Sequence, residues 1–242
     1  PMTATAAITI VDSATSSSDL AWAAAAQGAP SGTAYLVREQ TAGRGRRGAG
    51  WSSHRGGMYF SILLCPAIDT RHWFGLSFVA ALAMRAELAA CLGNVSVQVK
   101  WPNDILADGG KICGILLEAR NGAVVIGTGA NIAPVAALHG AKHPATSLQS
   151  LGGEQVTPED LADRYAAGLL SRVSTFETEG FEPVRLEWLS HCAHIGSMMR
   201  VSLADMQVEG YFDGLGANGA LQLLRADGSR HEVTTGDVEL MG

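Results

Sequence analysis

The sequence predicts an α+β protein: a mixed β-sheet flanked by helices, followed by a small C-terminal β-barrel. Three observations predict it. Short β-type runs alternate with helical stretches through residues 1–193. One stretch, residues 71–92, is apolar on most faces, as a core helix is. Beyond His194 the chain breaks into short strands separated by glycine turns. Two domains are therefore expected, 1–193 and 194–242.

Ala7–Val11 (AITIV) reads as a short strand. Thr15-Ser16-Ser17 follows, and Ser18-Asp19 leads into an alanine-rich helix ending at Gly28; hydroxyl and carboxylate side chains at that position are ordinary caps. Thr33–Val37 is the next strand. A glycine- and arginine-rich loop spans Glu39–Gly57, and Met58–Leu64 (MYFSILL) reads as a buried strand. The apolar helix covers Arg71–Leu92. Strands are expected at Val95–Lys100, Asp104–Leu106, Ile112–Glu118 and Ala123–Gly127, with hairpin turns at Asp108-Gly109-Gly110 and Asn121-Gly122. Thr157 as N-cap and Pro158 at the first helical position start a helix running to about Thr178; a second helix covers Glu182–Ser190. Strands at Met198–Leu203, Gln207–Phe212, Ala220–Arg225 and Arg230–Thr234 make up the barrel.

A chain of 242 residues, 47% hydrophobic and 17% charged, can bury a sizeable core and is not disordered. The formal net charge of −6 argues against general nucleic-acid binding, which needs a basic surface. Cys65, Cys91, Cys113 and Cys192 form no CxxC pair, which argues against a zinc knuckle. A chain this apolar does not need disulfides, so a reducing compartment is expected. No basic residue precedes Arg38, so no secretory signal is expected. The charge-free part of the apolar helix, His72–Met84, falls short of the roughly 18–20 apolar residues that cross a bilayer. A soluble cytoplasmic protein follows as the expectation.

Charge is concentrated in one place. Arg38, Arg44, Arg46, Arg47 and Arg55 fall within one loop of an otherwise acidic chain, out of seventeen Lys and Arg residues in all. Guanidinium forks fit carboxylate and phosphate oxygens, and glycines let backbone N–H groups approach an anion. Trp51, at the loop's end, offers a face for stacking on a base. Gly43-Arg-Gly45-Arg-Arg-Gly48 matches the letters of the G-x-G-x-x-G dinucleotide fingerprint, but that motif opens a helix on small residues. Here the interior is arginine and the next element is a strand. Taken alone, the loop reads as a solvated basic segment or one that touches RNA.

A second block changes that reading. Lys100-Trp101-Pro102-Asn103-Asp104 precedes Lys111-Ile112-Cys113-Gly114-Ile115-Leu116-Leu117-Glu118, and Gly127-Thr128-Gly129-Ala130-Asn131 follows. With the GRGRRG loop these segments resemble the biotin protein ligase family, whose GRGRxG loop, KWPND segment, K-x-x-G-I-L-x-E strand and G-x-G-x-N turn occur here in the same order. Ala145-Thr146-Ser147-Leu148 is similar to a further family segment. The resemblance spans essentially the whole chain. It implies a class II synthetase-like catalytic domain with a C-terminal SH3-like domain. The implied activity is formation of biotinyl-5'-AMP from biotin and ATP with Mg²⁺, then transfer to a lysine of a biotin carboxyl carrier domain.

The resemblance also places roles. Gln40, Gly43, Arg44, Gly45 and Arg46 match the loop that closes over biotin and the adenylate. Lys111 matches the lysine near the biotin carboxylate and the α-phosphate, and Gly114 the glycine on which the biotin rings pack. Trp51 and Asn131 match positions around the adenine; Arg47 and Asn103 are assigned to the ATP side. Asp104 matches the acid of WPND, near the metal region. Thr15-Ser16-Ser17 stands where the family has Ser-Thr-Asn against the ureido ring. Lys111, Arg46, Arg44 and Asp104 are the implied catalytic set; no metal ligand is named. Ala49 replaces a common family arginine, a role open to Arg47 or Arg55. Repressor-type members carry an N-terminal helix-turn-helix domain; this chain opens in the catalytic region, so DNA binding is not expected. A homodimer is compatible with the family.

Plainer readings stand beside these. Lys111 after a Gly-Gly turn reads as an exposed lysine, Asp104 as a turn cap, Trp51 and Trp101 as core, Asn131 as a strand end, and Cys113 as packing. Thr15–Ser17 serve equally as a helix cap. His54, His139, His143, His191 and His194 show no metal-like spacing. Two other functions compete: a lipoate-type ligase of the same fold, and a nucleic-acid-binding module using the arginine loop.

Overall fold

The structure is a computed structural model that describes residues 6–135, 144–153, 155–203 and 206–241. His139, Lys142 and His143 lie outside the described residues. Strand β1 (Ala7–Val11) and β2 (Thr33–Val37) run parallel, because helix α1 (Ser17–Ala26) returns the chain between them. α1 starts slightly earlier than the sequence suggests. Ser16 is its N-cap, accepting the Ser18 N–H at 3.2 Å.

Strand β3 (Met58–Leu64) is buried at every position. Helix α2 (Gly75–Leu92) begins later than expected, because Asp69 caps a separate short turn at Thr70–His72 by accepting the Arg71 N–H. Strands β4 (Val97–Lys100), β5 (Asp104–Ala107), β6 (Gly110–Arg120) and β7 (Ala123–Ala130) then form a meander. Its hairpins turn at Asp108-Gly109 and Asn121-Gly122, all four residues at positive φ, as tight hairpin turns require.

The sheet order is β1-β2-β3-β7-β6-β5-β4. β7 is held on both sides up to Ala130, which pairs with Met58 of β3 and Cys113 of β6. The segment Thr128–Ala130, beyond the strand end expected at Gly127 and expected as part of a turn, is therefore strand. The ladders need backbone groups only, so small residues do not stop it.

Successive side chains of β3 face opposite ways. Ile62 and Leu64 join the large core under α2 and helix α3 (Pro158–Glu179), whereas Leu63 joins Ala21 of α1 and Val125 in a small separate cluster. α3 opens on Thr157, which accepts the Asp160 N–H at 3.0 Å. Helix α4 (Phe181–Ser190) packs on α2 through edge-to-face contacts of Phe74 and Phe78 with Phe181 and Trp188. α2 is long and apolar enough to cross a membrane by length and composition alone, including Arg85 and Glu87. But 67% of it is buried inside the protein, as in a core helix.

Strands β8 (Met198–Ser202), β9 (Gln207–Leu215), β10 (Leu221–Leu224), β11 (Arg230–Val233) and β12 (Asp237–Leu240) form an antiparallel sheet in the order β11-β10-β9-β8-β12. β12 was not expected; four residues carry too little pattern to reveal a strand that exists by pairing with β8. The two sheets share one continuous core, and the buried Trp101 indole donates to Gly219 O at 3.2 Å.

Candidate active site

On the α1 face of the large sheet lies a cavity of about 530 Å³, within the range of small-molecule sites. Its walls come from stretches far apart in sequence: the start of α1, the arginine loop, the β4–β5 turn, β6, β7 and the β11–β12 region.

The sheet contributes a strip without side chains. Gly114 of β6 pairs with Gly129 of β7, and Gly127 stands two residues before Gly129 on the same face. A β-carbon at Gly129 would lie 2.6 Å from both Cε2 and Nε1 of Trp51; one at Gly114 would lie 2.8 Å from Cζ3 of Trp51. At Gly127 it would come within 2.9 Å of Ser18 Oγ. The glycines are what allow the Trp51 indole to lie directly on the strands. The indole thus covers the glycine expected to face a ring ligand, rather than standing apart from it. Its Nε1 is buried without a hydrogen-bond partner, an unusual cost for an N–H donor.

Neutral polar groups gather at the start of α1. Ser17 Oγ lies 2.7 Å and Ser18 Oγ 3.0 Å from the buried Ser61 Oγ. Gln40 Oε1 accepts the Ser17 N–H at 2.8 Å, while Gln40 Nε2 donates to Ser53 Oγ at 2.8 Å. Ser53 Oγ in turn donates to Trp51 O at 3.1 Å. The first turn of α1 is thereby linked to the arginine loop.

Charged groups line the same space. Lys111 Nζ lies 2.7 Å from Asp104 Oδ1 and 5.2 Å from the Trp51 ring centroid. Arg44, Arg46, Arg55 and Lys100 also line the cavity. Lys111 and the arginine loop, distant in sequence, meet here. Arg44 is engaged, with Nη1 donating to Asp19 Oδ1 at 2.6 Å and Nη2 3.5 Å from Glu118 Oε2. The hydrogen bond to Asp19 holds the Arg44 guanidinium above its usual pKa. Burial works to raise the Asp19 carboxyl, but hydrogen bonds from Arg44 and Thr15 outweigh it and hold that group below its usual range. Arg46 and Arg47 each place Nη2 3.3 Å from Thr235 Oγ1, joining the loop to the second sheet.

Of the residues named from sequence, Ser16, Ser17, Gln40, Arg44, Gly45, Arg46, Trp51, Asn103, Asp104, Lys111, Gly114 and Asn131 line the cavity. Three do not. Thr15 turns away to donate to Asp19 Oδ2 at 2.8 Å. Gly43 is not in the cavity lining, and a β-carbon added there would come within 2.9 Å of Trp51 O, Ser53 Oγ and Gln40 Nε2, so no side chain fits. Arg47, at φ +53, points to Thr235. Of the two arginines open to the role of the one that Ala49 replaces, Arg55 lines the cavity and Arg47 does not. Asn103 donates to Ile115 O, and Asn131 to Thr146 O at 3.0 Å, so both side chains also brace the wall.

Sequence reasoning missed Ser18, Ser61 and Tyr59. Ser61 had a signal: it is the one small polar residue in MYFSILL, on a strand buried throughout. Tyr59 donates to His54 O at 2.6 Å, and burial pushes its phenol up to about 12. Burial likewise raises the Cys113 thiol, which suits packing rather than nucleophilic attack. Among the described residues no group of three His, Cys, Asp or Glu is placed to hold a metal ion.

Residues 11–131 match the biotin/lipoate A/B protein ligase family. A biotin--[acetyl-CoA-carboxylase] ligase of Paracoccus denitrificans is 36% identical over 218 residues, covering 86% of this chain and 90% of that one. The bifunctional ligase/repressor BirA of Bacillus subtilis is 33% identical over 220 residues, covering 88% of this chain and 67% of that one. Among solved structures, a biotin protein ligase from Aquifex aeolicus in complex with biotin and ATP superposes with a TM-score of 0.84 at 24% identity, covering 97% of this chain and 98% of that one.

Proposed function

The chain belongs to the biotin/lipoate A/B protein ligase family, and from that premise we propose that it is a biotin protein ligase. It joins biotin and ATP as biotinyl-5'-AMP and passes the biotinyl group to a lysine of a biotin carboxyl carrier domain. The observation that carries this reading is one cavity combining a side-chain-free strip, a neutral hydroxyl–amide cluster, and Lys111 with the arginine loop. Biotin presents the matching chemistry: a compact apolar bicycle, a urea that both donates and accepts, and a carboxylate. Ser17 and Gln40 suit the urea; Lys111 and Arg46 suit the carboxylate and phosphates. A lipoyl ring has no urea for that cluster to recognise, which favours biotin over lipoate.

In the first step a carboxylate oxygen attacks the α-phosphorus. The bond from phosphorus to the bridging oxygen breaks, and pyrophosphate leaves. Two anions must meet, and fixed cations lower that barrier. In the second step the carrier lysine's neutral amine attacks the acyl carbon, the C–O bond to phosphate breaks, AMP leaves, and the proton shed by the nitrogen passes to solvent. No enzyme nucleophile is required. Trp51 and the loop, lying over the cavity, would keep water from the mixed anhydride. The orphaned Trp51 N–H supports a ligand acceptor at this place.

Mg²⁺ binds through one or two carboxylates plus substrate phosphates rather than an all-protein cage. Asp104, the carboxylate on the cavity wall beside Lys111, fits that requirement. Bound there with the nucleotide, the ion would neutralise phosphate charge. We place the protein in the cytoplasm, where it would meet the proposed carrier, and the acidic net charge of −6 disfavours DNA as a partner. Incubation with labelled biotin, MgATP and a carrier domain should label one carrier lysine; absence of labelling would sink the proposal.

A further inference from the structure

Arg44 stands in the cavity wall, but its guanidinium faces two carboxylates, Asp19 on α1 at 2.6 Å and Glu118 on β6 at 3.5 Å. Glu118 is itself built into a cluster. Its Oε2 accepts from Trp22 Nε1 at 3.2 Å and its Oε1 from Arg120 at 2.9 Å, and the Arg120 guanidinium lies 4.8 Å from the Trp22 ring centroid. A cation flanked by two anions has little net field to offer a phosphate. What the arrangement does offer is a tie between the loop, the first turn of α1 and a central strand.

The backbone shows why a tie at this position matters. The loop folds back on itself: Gly45 N–H donates to Ala49 O at 2.7 Å, Ala49 N–H to Arg46 O at 3.0 Å, and Trp51 N–H to Gly43 O at 2.9 Å. Arg44 and Gly50 form a bridge across its base. Holding residue 44 therefore holds both feet of the segment that carries Arg46 and Trp51. We propose that Arg44 is a positioning residue: clamped by Asp19 and Glu118, it fixes the hinge from which the arginine loop closes over the adenylate, instead of serving as a cation on the reacting groups.

The test uses the full chain with Asp19→Asn, alone and combined with Glu118→Gln, and separately Arg44→Lys, whose single ammonium cannot span both carboxylates. Two readouts are taken: hydrogen exchange at the amides of Gly45, Ala49 and Trp51, and the release rate of biotinyl-AMP. An anchor predicts roughly tenfold faster exchange and roughly tenfold faster release in each variant. A phosphate-binding Arg44 would be freed by removing its carboxylates. Unchanged exchange with an equal or faster single-turnover adenylation in Asp19→Asn therefore overturns the inference, as does full loop protection in Arg44→Lys. The release readout rests on the proposed function. If the unsubstituted protein forms no biotinyl-AMP, that function fails, while hydrogen exchange still decides the anchor.

Discussion

Replacing Lys111 by alanine removes one cation from the cavity and leaves the hydroxyl–amide cluster at α1 untouched. The ammonium lies 2.7 Å from Asp104, and the side chain is 30% exposed. A unit charge about 4 Å from a developing negative charge contributes roughly 4 kcal/mol at an effective dielectric constant of about 20. The Asp104 carboxylate and solvent screening offset about half of that, leaving about 2 kcal/mol, a factor of roughly 30 in rate. Lys111→Ala is therefore expected to slow single-turnover formation of biotinyl-AMP roughly 30-fold, while calorimetry finds biotin affinity within about threefold of the parent. A melting curve run alongside controls for the carboxylate left without its partner. Lost biotin binding with an unimpaired chemical step would refute the electrostatic role.

Two further outcomes follow from the same geometry. Arg46→Gly removes one of the loop's two links to Thr235, 3.3 Å away, together with a cation lining the cavity, and is expected to release biotinyl-AMP faster and biotinylate bystander proteins; an unchanged release rate contradicts this. Burial holds both His191 and His194 below the usual imidazole range, helped by Arg85 and Lys100 respectively. As pH falls through about 6.5 the unfolded chain protonates these rings before the folded one does, so stability drops with acidification. The melting temperature should fall between about pH 7.5 and about pH 5.5, less steeply in His194→Gln; equal slopes would rule out that residue's contribution.

Much of the large sheet was legible because β3 and α2 are dominated by apolar residues, and because Asp-Gly and Asn-Gly favour hairpin turns. The extent of β7 was not: Gly-Thr-Gly-Ala has turn chemistry, and only its two neighbours keep it extended. Motif residues such as Gln40, Lys111 and Gly114 were assigned through the family resemblance that their motifs carry, and all three line the cavity. What pattern could not give was pairing at a distance. Arg44 read as an anion ligand because its partners, 25 and 74 residues away, looked like a helix-cap aspartate and a strand glutamate. Thr15 and Arg47 were assigned from their segments, whereas the direction of the side chain is set by Asp19 and by the second sheet.

The claim on which the account stands is that this cavity activates biotin as its adenylate. Exchange of labelled pyrophosphate into ATP, measured with biotin and with lipoate as the added acid, tests it without any carrier. The account predicts exchange that depends on biotin and is indifferent to lipoate; exchange driven by lipoate alone, or by neither acid, would contradict it.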